Sequence, residues 1–282
     1  MLVLDSSMIS TFNKCKLNFY FKYILNYKSK GNSSAVEFGK AIHEALDEWY
    51  SEIDYPDKMM ALECSIQNFK DFYTQKDGET LYTQQKGLDI LKAYHEKYKD
   101  FKYELLGSEV GFKLNLGYAT FIGRIDKIIK IGDNIYGMDH KTTKSLGYNY
   151  FAMYNPNIQI DLYTLAINKL FKTNCAGIII DGIQVAKTKN DLLRDNISKT
   201  RQDMIIFEKN LEKMTKDIQL SIDNNNWYTC GCGLYKNSCS FKEVCVNYNR
   251  EVQLEILTTD FKIEEWNPLE GLEDGEILTY ES

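Results

Sequence analysis

Two short stretches of the sequence carry carboxylates at a spacing suited to chemistry. One reads Gly123-Arg-Ile-Asp126 within an alternating run, and the other reads Asp139-His-Lys141 at the end of the next such run. In the first strand Ile122, Arg124 and Asp126 share one face, opposite Phe121, Ile125, Ile129 and Ile131; in the second, Gly137, Asp139 and Lys141 share a face. Gly132-Asp133 is a two-residue hairpin turn, and counting back from it sets Asp126 directly across from Asp139. Like charges so placed weaken a sheet unless a cation or a shared proton separates them. A hard divalent ion held by oxygen ligands fits, and Lys141 keeps a further cation on that face. Glu109, on the preceding strand, is expected beside Asp126 or Arg124, depending on the turn at Leu116 to Tyr118. The same spacing also describes an ordinary solvated strand face with cross-strand ion pairs.

Other candidates lie further off. His43, one turn after Gly39, reads either as a metal ligand or as a packed structural histidine. Gln159 and Tyr163 fall at i and i+4 on one side of a helix. Seven cysteines without an export signal point to metal binding or plain burial rather than to disulfides. Cys230, Cys232, Cys239 and Cys245 cluster near the end, and four thiolates suit Zn²⁺ or an iron–sulfur cluster. The fourth ligand to Cys232, Cys239 and Cys245 could be Cys230 or the distant Cys15; Cys64 and Cys175 read as buried thiols.

The elements that must position these residues follow from periodicity. Ser6 and Ser7 can cap a helix starting near Met8, and Phe38, Ile42, Ala45, Leu46 and Trp49 mark a second. Helices are expected near 57–73 and 83–99, strand-like alternation from Tyr103 to Lys141, a helix from Asn157 to Leu170 and a buried strand from Ala176 to Ala186. A long amphipathic helix is expected over roughly 192–224. This order predicts an α/β (α+β-like) fold: a central mixed β-sheet with a three-stranded antiparallel meander, flanked by helices, after a helical N-terminal part. The expected organisation is one domain over 1–250 (helical 1–100, core 101–190, long helix and Cys-rich end 191–250), then an acidic tail over 251–282.

Gly-Arg-Ile-Asp126, Asp139-His-Lys141 and Gln159-x-x-x-Tyr163, with Gly39-Lys-Ala-Ile-His43 upstream, together resemble the ordered motifs of PD-(D/E)XK nucleases of the RecB-like branch. The resemblance runs from about residue 6 to 248. It implies a restriction-endonuclease-like core and a Mg²⁺- or Mn²⁺-dependent DNA nuclease, an exonuclease acting on ends or single strands in recombination, repair or replication. It assigns Asp126, Asp139 and Lys141 to catalysis, and the metal to Asp126, Asp139, His43 and the His140 carbonyl. It gives Gln159, Tyr163, Arg124 and Glu109 supporting or DNA-binding roles. A subset of the branch carries a [4Fe–4S] cluster, which would fall to Cys15, Cys232, Cys239 and Cys245. The alternatives are a non-cleaving nucleic-acid-binding protein, or a redox-sensing iron–sulfur protein, on the same fold.

Forty-four per cent apolar and 26% charged residues suit a folded core. No apolar run reaches about 18 residues, Cys175 to Ala186 being broken by Asp181, and no export signal is present. A cytoplasmic protein without a membrane partner is expected. No phosphate-binding G-x-x-x-x-G-K-[ST] loop occurs, so any helicase or recombination motor would be a separate chain. The net charge of -6 is uneven: residues 251–282 hold ten acids and one base, which leaves 33 bases and 30 acids, a net of +3, in residues 1–250. DNA binding by the body is therefore compatible with an acidic total. The tail's apolar residues suit three roles: a cover over the DNA groove, a docking segment, or a strand or helix that completes the fold.

Overall fold

Asp5, one residue ahead of the two serines, caps the first helix. The computed structural model describes residues 1–31, 33–51, 58–229, 239–273 and 276–281. In it β1 (Val3–Leu4) leads into α1 (Ser6–Lys14), and Asp5 Oδ1 accepts the Met8 N–H at 2.8 Å. A carboxylate there caps the helix and also complements its positive end, an advantage over either serine. After α2 (Lys16–Phe19), a π-helical turn at Tyr20–Ile24 and β2 (Tyr27–Ser29) come α3 (Ser34–Tyr50), α4 (Lys58–Phe72) and α5 (Gln84–Tyr98).

The sheet strands follow: β3 (Glu104–Asn115), β4 (Thr120–Ile131) and β5 (Asn134–Thr143), then α6 (Ile158–Phe171), β6 (Gly177–Gln184) and β7 (Leu192–Ile197). The chain ends with α7 (Arg201–Asp223), α8 (Lys242–Val246), α9 (Arg250–Asp260), β8 (Phe261–Ile263) and β9 (Ile277–Glu281). Among the described residues the main sheet has the order β7-β6-β5-β4-β3-β9, with β1 also paired to β4. β4 and β5 are antiparallel, β5 and β6 parallel, and β6 and β7 antiparallel, so the sheet is mixed. The four residues between β3 and β4 allow only an antiparallel turn between these neighbours, which completes the meander. The fold is the expected α/β class, a mixed sheet with an antiparallel meander flanked by helices.

The helix expected from 192 begins only at Arg201. Residues 192–197 instead form β7, whose ends Leu192 and Ile197 are buried while Leu193 is exposed. The three-and-four spacing of apolar residues starts at Met204, and a capping box between Thr200 and Asp203 sets the helix start.

The chain divides into two compact units. The first comprises Met1–Gly31, Gly111–Gly123 and Thr200–Ser282. Within it Phe241 stacks on Phe261 at 4.7 Å and on Phe21 at 5.1 Å, over a small core with Val244 and Leu257. The acidic tail is built into this unit: β8 pairs with β2, β9 lies parallel to Gly111–Asn115, and Trp266 donates to Asp5. Leu257 and Phe261 thus serve the third of the three roles, completing the fold, while Leu254, Ile263 and Trp266 stay exposed.

The second unit comprises Asn32–Val110 and Arg124–Lys199. Its core packs α3, α4 and α5 on β4, β5 and β6 through Phe38, Trp49, Phe69, Tyr94, Ile129 and Ile179. Among the described residues no helix is long and apolar enough to cross a membrane.

Candidate active site

The carboxylates meet where β4 and β5 part. The turn at 132–133 sets Ile131 against Asn134 and Lys127 against Met138, so the next opposed pair in that register is Asp126 and Asp139. There β5 keeps its pairing with β6 as far as Thr143, while the Asp126 carboxylate takes the His140 N–H at 2.8 Å. Asp126 is 9% and Asp139 1% exposed. Lys141 Nζ stands 2.6 Å from Asp139 Oδ2, and His43 Nδ1, from α3, stands 3.3 Å from Asp126 Oδ2.

Electrostatics divide the two acids. Burial raises Asp139 most, the charge of Asp126 adds to it, and together they outweigh Lys141 and bring it up to about 6. Burial works the same way on Asp126, but His43, His140 and Lys141 win and hold it below its ordinary value. Lys141 is raised: burial opposes its charge, yet Asp139 and Asp126 more than compensate. Burial lowers His43 despite Asp126, which keeps the imidazole neutral and able to donate or ligate through nitrogen. The arrangement is a pair of buried hard oxygen donors, one of which takes up a proton below about pH 6 in competition with a divalent cation, with an ammonium beside them.

A metal fits this donor set. Among the described residues no three His, Cys, Asp or Glu side chains converge into a metal-holding group. Mg²⁺ commonly takes only one or two carboxylates and fills its shell with water and substrate phosphate, so Asp126 and Asp139 with a backbone carbonyl suffice. Because Asp139 must release its proton to the ion, Mn²⁺ affinity is expected to fall about tenfold for each pH unit below about 6 and to level off above it. Calorimetric titration from about pH 5 to about pH 8 checks this; a flat affinity would mean that Asp139 does not hold the ion.

The remaining expected residues sit around this centre. Tyr163 donates to the Arg124 carbonyl, two residues before Asp126, and Gln159 Nε2 donates to the Tyr163 hydroxyl at 3.0 Å, so the pair fixes the β4 backbone. Arg124 Nη1 lies 3.6 Å from Glu109 Oε2. Glu109 has a left-handed backbone, φ +46°, an uncommon conformation for a residue with a Cβ. It breaks the alternation of β3, so that Ser108 donates to Asp47 on α3 while Glu109 lines a cavity with His43 and Glu44. Burial, followed by the charge of Asp126, brings Glu109 up to about 7.

Sequence reasoning missed a buried network behind the site. Asp181, fully buried on β6, faces His140 Nδ1 at 3.1 Å and Arg194 Nε of β7 at 3.1 Å, and accepts from the Tyr94 hydroxyl. Arg194 also donates to the Tyr50 and Tyr94 hydroxyls, each at 2.6 Å. Burial opposes the Asp181 charge, but Arg194 and His140 hold its carboxyl far below the usual range. A second buried charge, Lys127, ends on Asp47 at 2.5 Å. The available signal was Asp181 itself, a lone acid inside an apolar run.

Cys15, Cys239 and Cys245 belong to the first unit, where none is in a disulfide; Cys230 and Cys232 lie outside the described residues.

A mixed sheet that opens over two opposed carboxylates with a lysine two residues on defines a class of metal-dependent nucleases. The family model of the PD-(D/E)XK nuclease superfamily matches residues 6–246, and the chain belongs to that superfamily. It is a phosphodiester-cleaving hydrolase of that kind. Among solved structures it is similar to the crystal structure of SSO0001, at 12% identity over 76% of this chain and 84% of that one, with a TM-score of 0.30. No curated protein matches the chain.

Proposed function

We propose that this protein is an exonuclease that degrades DNA from ends or as single strands, in recombination, repair or replication. The observation that carries the reading is the opposed buried pair Asp126 and Asp139 with Lys141 at 2.6 Å from the second. Asp126, Asp139 and the His140 carbonyl would hold Mg²⁺ or Mn²⁺, which acidifies a water and neutralises charge on the phosphate. Lys141, kept cationic by both acids, is placed to orient the attacking water and to stabilise negative charge as it develops. Neutral His43 hydrogen-bonds or ligates beside Asp126. Product analysis on end-labelled single- and double-stranded DNA tests the reading: short products from the ends support it, and internal cuts without end products would make the enzyme an endonuclease instead.

The [4Fe–4S] cluster belongs to the same reading, and the surroundings of Cys15 favour it over a local zinc site. The Leu17 N–H, two residues after Cys15, bonds to the Tyr228 carbonyl at 3.1 Å, so Tyr228 lies beside the start of α2. Asn18 Nδ2 lies 3.6 Å from Cys239 Sγ, and Cys239 and Cys245 pack on the same small core as Phe21. Anaerobically purified protein is expected to hold about four irons per chain. Cys15→Ser should lower iron content as severely as Cys239→Ser, while Cys64→Ser should leave it unchanged. Zinc without iron would contradict the cluster.

A further inference from the structure

Beside the carboxylates the second unit encloses a cavity of about 820 Å³. One wall is a single face of α3, on which Val36, Gly39, Lys40 and His43 succeed one another at helical spacing. The facing wall is the end of β5, Thr142 to Lys144, with Val185 hydrogen-bonded to Thr143. Gly39 lets the walls close, since a Cβ there would meet Thr142 Oγ1 at 2.9 Å. From Asp139 to Lys144 the strand advances five residues, roughly 16 Å at the usual rise, so the cavity leads away from the reacting centre along the strand.

The chemistry of the walls changes along that path. The acids Asp126, Glu109 and Glu44 gather around His43. Lys40 and Lys144 line the same cavity, are exposed, and form no ion pair among the described residues, although the charge of Lys40 reaches Glu44 one turn on, whereas Lys127 and Lys141 nearby each hold a carboxylate. Val36, 49% exposed, and Val185 give the cavity an apolar side, together with Tyr82, whose ring rests on Phe38 at 5.5 Å.

We infer that this cavity seats an unpaired polynucleotide strand next to the scissile phosphate, with Lys40 and Lys144 on backbone phosphates and Val36 and Tyr82 against the bases. This rests on the nuclease reading and names the strand-binding part of that site. Unpartnered ammonium groups complement phosphates, and their contacts are worth most at low salt. The apolar side decides between strand types. A duplex keeps its bases stacked inside and offers a protein phosphates and groove edges, so Val36 and Tyr82 would gain nothing from it. An unpaired strand presents base faces that stack on such surfaces.

The test uses the full-length protein in EDTA, so that nothing is cut, with fluorescent oligo-dT and a hairpin duplex titrated over a range of KCl concentrations. The Lys40→Ala/Lys144→Ala protein should bind oligo-dT more weakly at low salt. Its plot of log affinity against log salt should be shallower by about 1.4, two single-strand contacts at roughly 0.7 each. Val36→Ser should weaken oligo-dT binding several-fold with the slope unchanged. Metal-dependent hydrolysis of bis(p-nitrophenyl) phosphate, which reaches only the reacting centre, should be the same in both variants as in wild type. An unchanged slope in the double variant, or equal losses on oligo-dT and duplex, would overturn the assignment while wild-type cleavage kept the nuclease reading intact. A wild-type protein that hydrolyses neither DNA nor the small diester would sink that reading itself.

Discussion

Asp139→Asn is expected to melt at a higher temperature than wild type in EDTA at about pH 8, and to lose DNA cleavage by about 10³-fold or more. The two effects share one cause. The folded protein brings Asp139 up to about 6 from an ordinary 3.8, so it binds that proton more tightly than the unfolded chain does. Stability from this group is therefore present in acid and is lost as pH rises through about 6, which leaves the ionised carboxylate a burden at about pH 8. An amide of the same shape removes the burden and still accepts from Lys141. With Mn²⁺ at about 1,000 times its dissociation constant, wild type gains about 4.1 kcal/mol that the variant cannot share, more than the roughly 3 kcal/mol burden of the shift from 3.8 to about 6, so the order of melting temperatures reverses. Differential scanning calorimetry with and without Mn²⁺, beside a cleavage assay, checks both halves. A variant less stable in EDTA, or one that still cuts, contradicts the site as drawn.

Asp181→Ala is expected to cost about 3–5 kcal/mol of folding free energy, the range for removing one partner of a buried ion pair. The loss strands the Arg194 guanidinium against Tyr50 and Tyr94 and frees the His140 ring. Arg194→Met should be comparably harmful, because it leaves the Asp181 carboxylate buried without its cation. The paired change Asp181→Leu/Arg194→Met removes both charges and should lose clearly less than the sum of the singles. Urea titration of the four proteins measures this. Additive losses would show that the two side chains do not stabilise each other.

Local rules made the hairpin legible. A two-residue Gly132-Asp133 turn admits one register, and counting from it leads to Lys127 against Met138, the last pair of the ladder, with Asp126 and Asp139 next in line. Helical periodicity likewise located α3 and α6, and with them His43 and the Gln159–Tyr163 pair. The network at Asp181 was not legible, because its partners come from α3, α5, β5 and β7 and no spacing connects them. Arg194 is doubly hidden: it sits on a strand that turns back antiparallel along β6, where helical periodicity predicts the first turns of a helix. Glu109 shows another limit. Its neighbourhood was expected from strand order, but the left-handed kink that turns both it and Ser108 toward α3 depends on packing that alternation does not encode. The acidic tail was readable as charge, whereas its pairing with β2 and β3 joins segments far apart in sequence.

In the proposed mechanism Asp126, Asp139 and Lys141 form one divalent-dependent centre that cleaves phosphodiester bonds. The most direct measurement incubates anaerobically purified wild-type protein with end-labelled single-stranded DNA in Mg²⁺, in Mn²⁺ and in EDTA, beside Asp126→Ala and Lys141→Ala proteins that melt as wild type does. The account predicts cleavage by wild type in either metal, none in EDTA, and none by either variant. Cleavage that survives EDTA, or that either variant retains at the wild-type rate, would contradict it.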